Sequence, residues 1–372
     1  MTAKAKKRII VSVTSDLVSD NRVHRTCTTL AEMGFEVLLV GRKLPGSQPL
    51  SPRIYSAKRL KLLFRKGPLF YACFNLRLFC LLLFSKFDLL LANDLDTLPA
   101  NFMASKLKNK PLVYDSHEFF TEVPELVHRP RVKKIWEILE QKIVPKLKHA
   151  YTVCSSIAEV YTQKYSVPFR VVRNVPVATS SVQKAKKLSE DAGKIILYQG
   201  AVNIGRGLEQ AIRAMKFVQN ARLVIAGDGD IRQDMEQLAE SEGLAGKVQF
   251  LGRLSIEDLA KLTPQAAVGL SVEEDLGLNY RYALPNKLFD YIQAHVPVLV
   301  TNLPEMAAIV KKYGIGVITD SLEPEVLAEI FSEMLTDANR RKIWKQNLET
   351  AAGELTWKNE KKVLEEVFRP FK

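Results

Sequence analysis

Short β-branched or Leu-rich runs alternate with longer amphipathic segments along almost the whole chain, and no other feature limits its fold so strongly. In the first half the runs fall at residues 9–14, 37–41, 89–93, 112–115, 150–153 and 170–172, with helical patterns near 21–33, 97–106, 132–147 and 155–164. A strand, a helix and another strand in succession build a parallel sheet with crossover helices, so the rhythm predicts a doubly wound α/β unit. The rhythm stops over 174–193, "NVPVATSSVQKAKKLSEDAG", which has little periodicity and reads as a linker. Further strands are expected at 195–198, 223–226, 248–251, 268–271 and 298–300. At 372 residues the chain exceeds what one core usually supports. Two Rossmann-like, doubly wound domains are therefore expected, 1–173 and 194–356, facing each other across a cleft where such folds bind ligands.

Lysine and arginine exceed aspartate and glutamate by 13, and the whole excess lies in the first half: 29 against 14 through Arg173, then 25 against 27. The asymmetry predicts an anionic partner for the first domain, whether nucleic acid, an acidic membrane leaflet or a phosphorylated substrate. The apolar stretch "LFYACFNLRLFCLLLF", 69–84, is about four residues short of a bilayer span and carries Asn75 and Arg77. It reads either as a mostly buried helix of the first sheet or, beside Lys58, Arg59, Lys61, Arg65 and Lys66, as a helix lying on an anionic membrane. The four cysteines, Cys27, Cys73, Cys80 and Cys154, form no C-x-x-C pair and are expected to be reduced and buried. The apolar run 9–13 is about half the length of a signal-peptide core and reads as a first strand, so a cytoplasmic protein is expected.

The first strand is followed by "SDLVSDNRVHRT", which has no glycine. The dinucleotide fingerprint G-x-G-x-x-G is absent there, which counts against a nicotinamide or flavin cofactor. Asp20, Arg22 and His24 in this stretch are candidate ligand contacts. Glycines appear instead in "YQGAVNIGRGLEQAI", where Gly200, Gly205 and Gly207 surround Arg206 ahead of a helix. Such a loop brings backbone N–H groups close to an anion, and Arg206 adds a fork of donors for phosphate oxygens. "YALPNKLFDY", 282–291, offers a second anion site. Pro285 suits a helix start, from which the N–H groups of Asn286, Lys287 and Leu288 point outward beside the Lys287 ammonium. Asp290, one turn on, is an acceptor for a diol such as that of a ribose. His117 and Glu118 follow the strand "LVYDS" at its carboxyl end, where such sheets bind ligands. Asp94 and Asp96 of "NDLD" read as helix caps rather than as a metal-binding pair.

The segment "EEDLGLNYRYALPNKLFDYIQAHVPVLVTNLPE", together with "YQGAVNIGRGLEQAI", "LVIAGDGD" and "VQFLGRL", resembles the retaining GT-B glycosyltransferases of family 4 type (glycosyl transferases group 1), in the branch with a P-N-K-L-F-E-Y pattern. In the first half "SDNRVHRTCTTLAEMGFEVLLVG", "ANDLDTLPA", "VYDSHEFFTE" and "AYTVCSSIAEVY" extend the resemblance. It implies a GT-B fold whose C-terminal helix, about 357–372, packs back on the first domain. It also implies transfer of a sugar from a nucleoside diphosphate donor to a hydroxyl of a glycan or lipid-linked acceptor, with retention, in surface polysaccharide or glycolipid synthesis. Arg206, Lys287 and the backbone of 285–288 would hold the donor diphosphate, Asp290 the ribose, and Glu273, Glu274 or Asp275 the donor sugar; His117 can hydrogen-bond a sugar hydroxyl or the acceptor, and Asp20, Arg22, His24 and Glu118 are candidates for acceptor contact. No metal and no cofactor is implied, because cations and helix dipoles stabilise the leaving group. The implied partners are the donor and the acceptor, with no nucleic acid; the basic charge of the first domain adds an anionic membrane surface, at the inner face of the cytoplasmic membrane, as a further expected partner. Five positions depart from the family pattern: Arg206 in place of lysine, Ala201 in place of arginine, Asp290 in place of glutamate, Tyr282 in place of the first glutamate of a pair, and His295 in place of a helix-ending glycine. The alternatives are a nucleotide-sugar epimerase of GT-B-like fold and a non-catalytic basic protein that binds membrane or nucleic acid.

Overall fold

A computed structural model describes residues 6–18, 20–123, 126, 129–177 and 194–372; most of the expected linker, 178–193, lies outside the described residues. The chain divides into two compact units, Met1–Asn174 with Glu360–Lys372, and Val175–Asn359.

The first unit is a seven-stranded sheet of β1 (Arg8–Ser12), β2 (Glu36–Lys43), β3 (Ser56–Lys61), β4 (Leu89–Asn93), β5 (Leu112–Ser116), β6 (His149–Thr152) and β7 (Phe169–Val171). Its order is β3-β2-β1-β4-β5-β6-β7, and every pairing is parallel. The crossovers are α1 (Asn21–Glu32), α2 (Gly67–Phe84), α3 (Leu98–Lys108), α4 (Pro130–Ile143) and α5 (Ser155–Tyr165). A parallel strand is covered on both faces, which is why "LLLAN" of β4 and "LVYDS" of β5 are buried at every residue.

The second unit has β8 (Lys194–Gln199), β9 (Ala221–Ala226), β10 (Val248–Phe250), β11 (Val268–Ser271), β12 (Val298–Thr301) and β13 (Gly316–Thr319), ordered β10-β9-β8-β11-β12-β13 and again all parallel. Alternate residues feed opposite cores. Ile196, Tyr198, Leu223 and Ile225 pack with Leu208 and Ile212 of α6 (Leu208–Ala214), whereas Ile195, Leu197, Val224 and Ala226 pack with helix residues Leu288, Phe289 and Ile292. The remaining helices are α7 (Arg232–Ser241), α8 (Ile256–Leu262), α9 (Leu278–Arg281), α10 (Asn286–Gln293), α11 (Pro304–Tyr313), α12 (Pro324–Thr336) and α13 (Ala338–Glu354). The last helix, α14 (Trp357–Phe368), joins the first unit from Glu360 onward. There the buried Glu360 carboxylate accepts from Arg173 Nε at 2.7 Å and from the Arg173 N–H at 2.9 Å.

In each sheet the winding direction reverses once, between β1 and β4 and between β8 and β11. Ligands of such sheets bind outside the carboxyl ends of the strands at that point. Two strands escaped the sequence pattern, β3 and β13, and both are edges. An edge strand lacks a neighbour and needs less apolar surface; only Leu60 of β3 is buried. The expectation of a mostly buried helix at 69–84 fails: α2 buries only Phe70, Phe74, Leu78 and Leu82. All four cysteines are free thiols, but only Cys27 and Cys154 are buried, and Cys80 is exposed on α2.

Candidate functional site

In the second unit, the loops after β8 and β11 and the start of α10 converge on one buried carboxylate, Glu273. Backbone freedom at two glycines makes this possible. Gly205 (φ 80°) and Gly207 (φ 65°) lie in the left-handed region, and a Cβ at Gly207 would stand 2.2 Å from the Val272 carbonyl oxygen. The Glu274 N–H donates to the Gly205 carbonyl at 2.9 Å and ties the two loops together. Arg206 is thereby carried over the Tyr280 ring, 5.4 Å from its centre, with Nη1 3.5 Å from Glu273 Oε1. From the other side Lys287 reaches the same oxygen at 2.8 Å, with its ammonium 4.0 Å from the centre of the Tyr198 ring and only 7% of its side chain exposed.

Glu273 is fully buried, and its second oxygen accepts from Ser271 Oγ at 2.9 Å. Burial alone would push its carboxyl up; Lys287, then Arg206 and the Ser271 hydroxyl outweigh burial and hold it below the usual carboxylate range. Two cations against one carboxylate leave a net positive charge beside the N-terminus of α10, the end of a helix that favours anions. On the inner side, Asp290 Oδ2 accepts from Gln199 Nε2 at 3.0 Å, and Gln199 Oε1 accepts from Thr263 Oγ1 at 2.8 Å.

In the first unit, the carboxyl ends of β4 and β5 carry a chain of alternating charge. The Arg22 fork donates to both oxygens of Asp115, at 3.2 and 2.7 Å, and to the Val172 carbonyl at 2.9 Å. His117 bridges onward, Nε2 to Asp115 Oδ2 at 3.0 Å and Nδ1 to Asp94 Oδ2 at 3.1 Å. Burial works against a charged imidazole here, but Asp94 and Asp115 overcome it and raise the His117 pKa well above 6.5. Burial likewise opposes ionisation of Asp115, yet Arg22 and His117 bring it down to about 2. Asp96 has no such partner. It accepts from Thr14 Oγ1 at 2.6 Å, its Oδ1 is buried without a hydrogen bond, and burial followed by the charge of Asp94 pushes it up to about 7.

Residues 20–176 match the model described as Glycosyltransferase Family 4, and residues 180–350 match Glycosyl transferases group 1. The chain belongs to the family 4-type GT-B glycosyltransferases. An uncharacterized glycosyltransferase of Methanocaldococcus jannaschii is 32% identical over 153 residues, 40% of this chain and 37% of the relative. An alpha-1,4-N-acetyl-D-galactosaminyltransferase of Campylobacter jejuni, whose name gives its acceptor as a glycan on PP-undecaprenol, is 27% identical over 184 residues, 47% of this chain and 46% of the relative. The chain thus spans less than half the length of these two relatives. Among solved structures, the sucrose-phosphate synthase of Thermosynechococcus elongatus superposes with a TM-score of 0.80 at 16% identity, covering 98% of this chain and 99% of that one. The Anabaena protein HepE in complex with UDP gives 0.74 at 14%, with the same coverage. At these identities the superpositions speak to the GT-B fold.

For a family 4-type glycosyltransferase, several residues sit differently from what the sequence suggested. Glu273 was a candidate for the donor sugar; here one of its oxygens meets Lys287 and Arg206 and the other accepts from the Ser271 hydroxyl. The Leu288 N–H donates to the Pro285 carbonyl at 3.1 Å and is spent within the turn, while Pro285 itself is the residue ahead of α10. His117 was expected to hydrogen-bond a sugar hydroxyl or the acceptor; both its ring nitrogens are engaged here, bridging the carboxylates of Asp94 and Asp115. Arg22, expected to meet the acceptor, is buried with its fork on Asp115. Asp20 caps α1, with Oδ1 accepting from the Val23 N–H at 3.1 Å. His24 Nδ1 meets the Tyr55 hydroxyl at 2.7 Å, and burial, then Arg53 and Arg25, lower its pKa. Neither Asp94 nor Asp96 caps α3, which begins after Thr97 with no side-chain cap, because both carboxylates turn toward neighbouring strand ends. Gly200 (φ 137°) opens the first loop, Glu118 is exposed, and Asn286 is exposed at the start of α10. His295 takes the left-handed conformation (φ 55°) where glycine was usual. Gln199, Tyr198 and Ser271 also belong to this site, although nothing in the local sequence marks them. Their signal was position alone: the ends of β8 and β11.

Proposed function

We propose that this glycosyltransferase moves a sugar from a nucleoside diphosphate donor to a hydroxyl of a glycan or lipid-linked acceptor, retaining the anomeric configuration, in surface polysaccharide or glycolipid synthesis. The observation that carries the donor site is the convergence of Arg206 and Lys287 on Glu273 at the point where the second sheet reverses. When the bond between the anomeric carbon and the diphosphate oxygen breaks, its electron pair stays on the diphosphate. Charge then grows where two preorganised cations and the N-terminus of α10 stand, and this stabilisation lowers the barrier. Glu273 holds both cations in place without reaching the substrate. Asp290, steadied by Gln199, offers its carboxylate to the ribose hydroxyls. UDP in the HepE complex supports a nucleoside diphosphate as the leaving group, and the undecaprenol-linked acceptor named for the Campylobacter relative supports a lipid-linked glycan.

Thermal-shift screening with UDP, GDP, ADP and their sugar conjugates identifies the donor, because a ligand of the folded state raises the melting temperature by mass action. The selected donor, incubated with lipid-linked glycans, is expected to give a product heavier by one sugar in mass spectrometry. Conversion of the nucleotide sugar without any acceptor would mark an epimerase and overturn the proposal.

A further inference from the structure

The outward face of α2 has no partner among the described residues, although it is apolar. Leu69, Ala72, Leu76, Cys80 and Phe84 recur every three or four residues and so share one side of the helix, opposite Phe70, Phe74, Leu78 and Leu82. Leu69 is 60% exposed, Leu76 64% and Phe84 86%, and the preceding loop adds Leu63 at 85%. A solvated helix normally turns charge outward, and a contiguous apolar stripe about 23 Å long marks a docking face. By length and composition α2 could cross a bilayer. Its position forbids that, because it is the crossover between β3 and β4 of one sheet and its inner face packs on that unit.

Charge decides what covers the stripe. Residues 37–87 contain ten lysines and arginines and no aspartate or glutamate. Arg65 and Lys66 are exposed just ahead of the helix, Arg77 lies on its flank, and Lys86 follows it. Arg77 Nη1 donates to the Lys61 carbonyl at 2.6 Å, which binds the helix to the basic edge strand β3. At the carboxyl ends of β2 and β3, Arg42, Lys43, Lys61 and Arg65 line an open hollow of about 220 Å³ together with Leu62 and Phe64. The hollow is lined by cations and apolar side chains with no acid among them, which suits an anionic headgroup above an acyl chain. A second copy of the chain docked face to face would bring the same cations together and be repelled.

We propose that this face of the first unit docks on an anionic lipid surface, with the α2 stripe at the level of the acyl chains and Arg42, Lys43, Lys61 and Arg65 on lipid phosphates. The stripe supplies apolar burial, and the cations add attraction to an acidic surface. Flotation of the full chain with vesicles tests this without any donor, so its outcome is separate from that of the transferase reading. Binding is expected to vesicles of phosphatidylcholine mixed with an equal amount of phosphatidylglycerol, to weaken with salt, and to be lost on phosphatidylcholine alone. The variant Arg65→Glu/Lys66→Glu is expected to bind about tenfold or more weaker. Leu69→Gln/Leu76→Gln/Phe84→Gln, all at exposed positions, is expected to abolish flotation with unchanged circular dichroism. Equal binding to neutral vesicles, or full binding by both variants, would overturn the proposal. So would a concentration-dependent dimer in light scattering that the triple variant abolishes.

Discussion

Asp96 and Glu273 are both buried carboxyls, and their surroundings push them apart. Glu273 has Lys287 and Arg206 and stays ionised; Asp96 has a hydroxyl on one oxygen and nothing on the other. Burial therefore raises Asp96 from 3.8 to about 7. Between those values the folded protein holds a proton that the unfolded chain releases, so this group's contribution is fully present below 3.8 and is lost as pH rises through about 7. Urea titrations across this window are expected to show wild type losing stability relative to Asp96→Asn as pH rises; parallel curves would contradict the assignment. None of this was legible in "NDLD", where two carboxylates beside a helix start suit capping. The fate of each was fixed by the ends of β1 and β5, which bring Thr14 and His117 from far away in sequence. In "VEED" likewise, nothing local says that Glu273 turns inward; the bond from Thr301 Oγ1 to its carbonyl at 2.8 Å helps hold that turn.

At the scale of elements, central strands were legible because parallel strands buried on both faces read as unbroken apolar runs, as in β4 and β11. Edges and the lie of α2 were not. An all-apolar helix carries no polar side from which to read its orientation, so only the sheet beneath it shows which residues remain outside. The anion loop before α6 was legible through its glycines, and its geometry gives a sharp contrast. Gly207→Ala meets both a positive φ and the Val272 carbonyl, and is expected to cost about 1–3 kcal/mol and to displace Arg206. Gly353→Ala, inside α13 with no atom within 4 Å of the added carbon, is expected to stabilise by about 0.5–1 kcal/mol. Thermal denaturation of both variants checks the pair; equal effects would mean that the loop is not held as described.

At the scale of the molecule, two units repeat one strand order, yet their chemistry differs. The first carries the positive excess and an apolar, basic face; the second carries a compact cation pair on a buried carboxylate. That division was visible in the sequence as a charge count before any fold was known, whereas the pairing of Arg206 with Lys287 through Glu273 required the sheet to bring three distant loops together. The most direct test is calorimetric titration of UDP, GDP and ADP into the intact protein and into Lys287→Ala and Arg206→Ala, each checked for folding. One nucleotide is expected to bind wild type at a single site, with affinity falling about thirtyfold or more in Lys287→Ala and less steeply in the more exposed Arg206→Ala. Undiminished affinity in folded Lys287→Ala, or no binding of any of the three to wild type, would contradict the donor site.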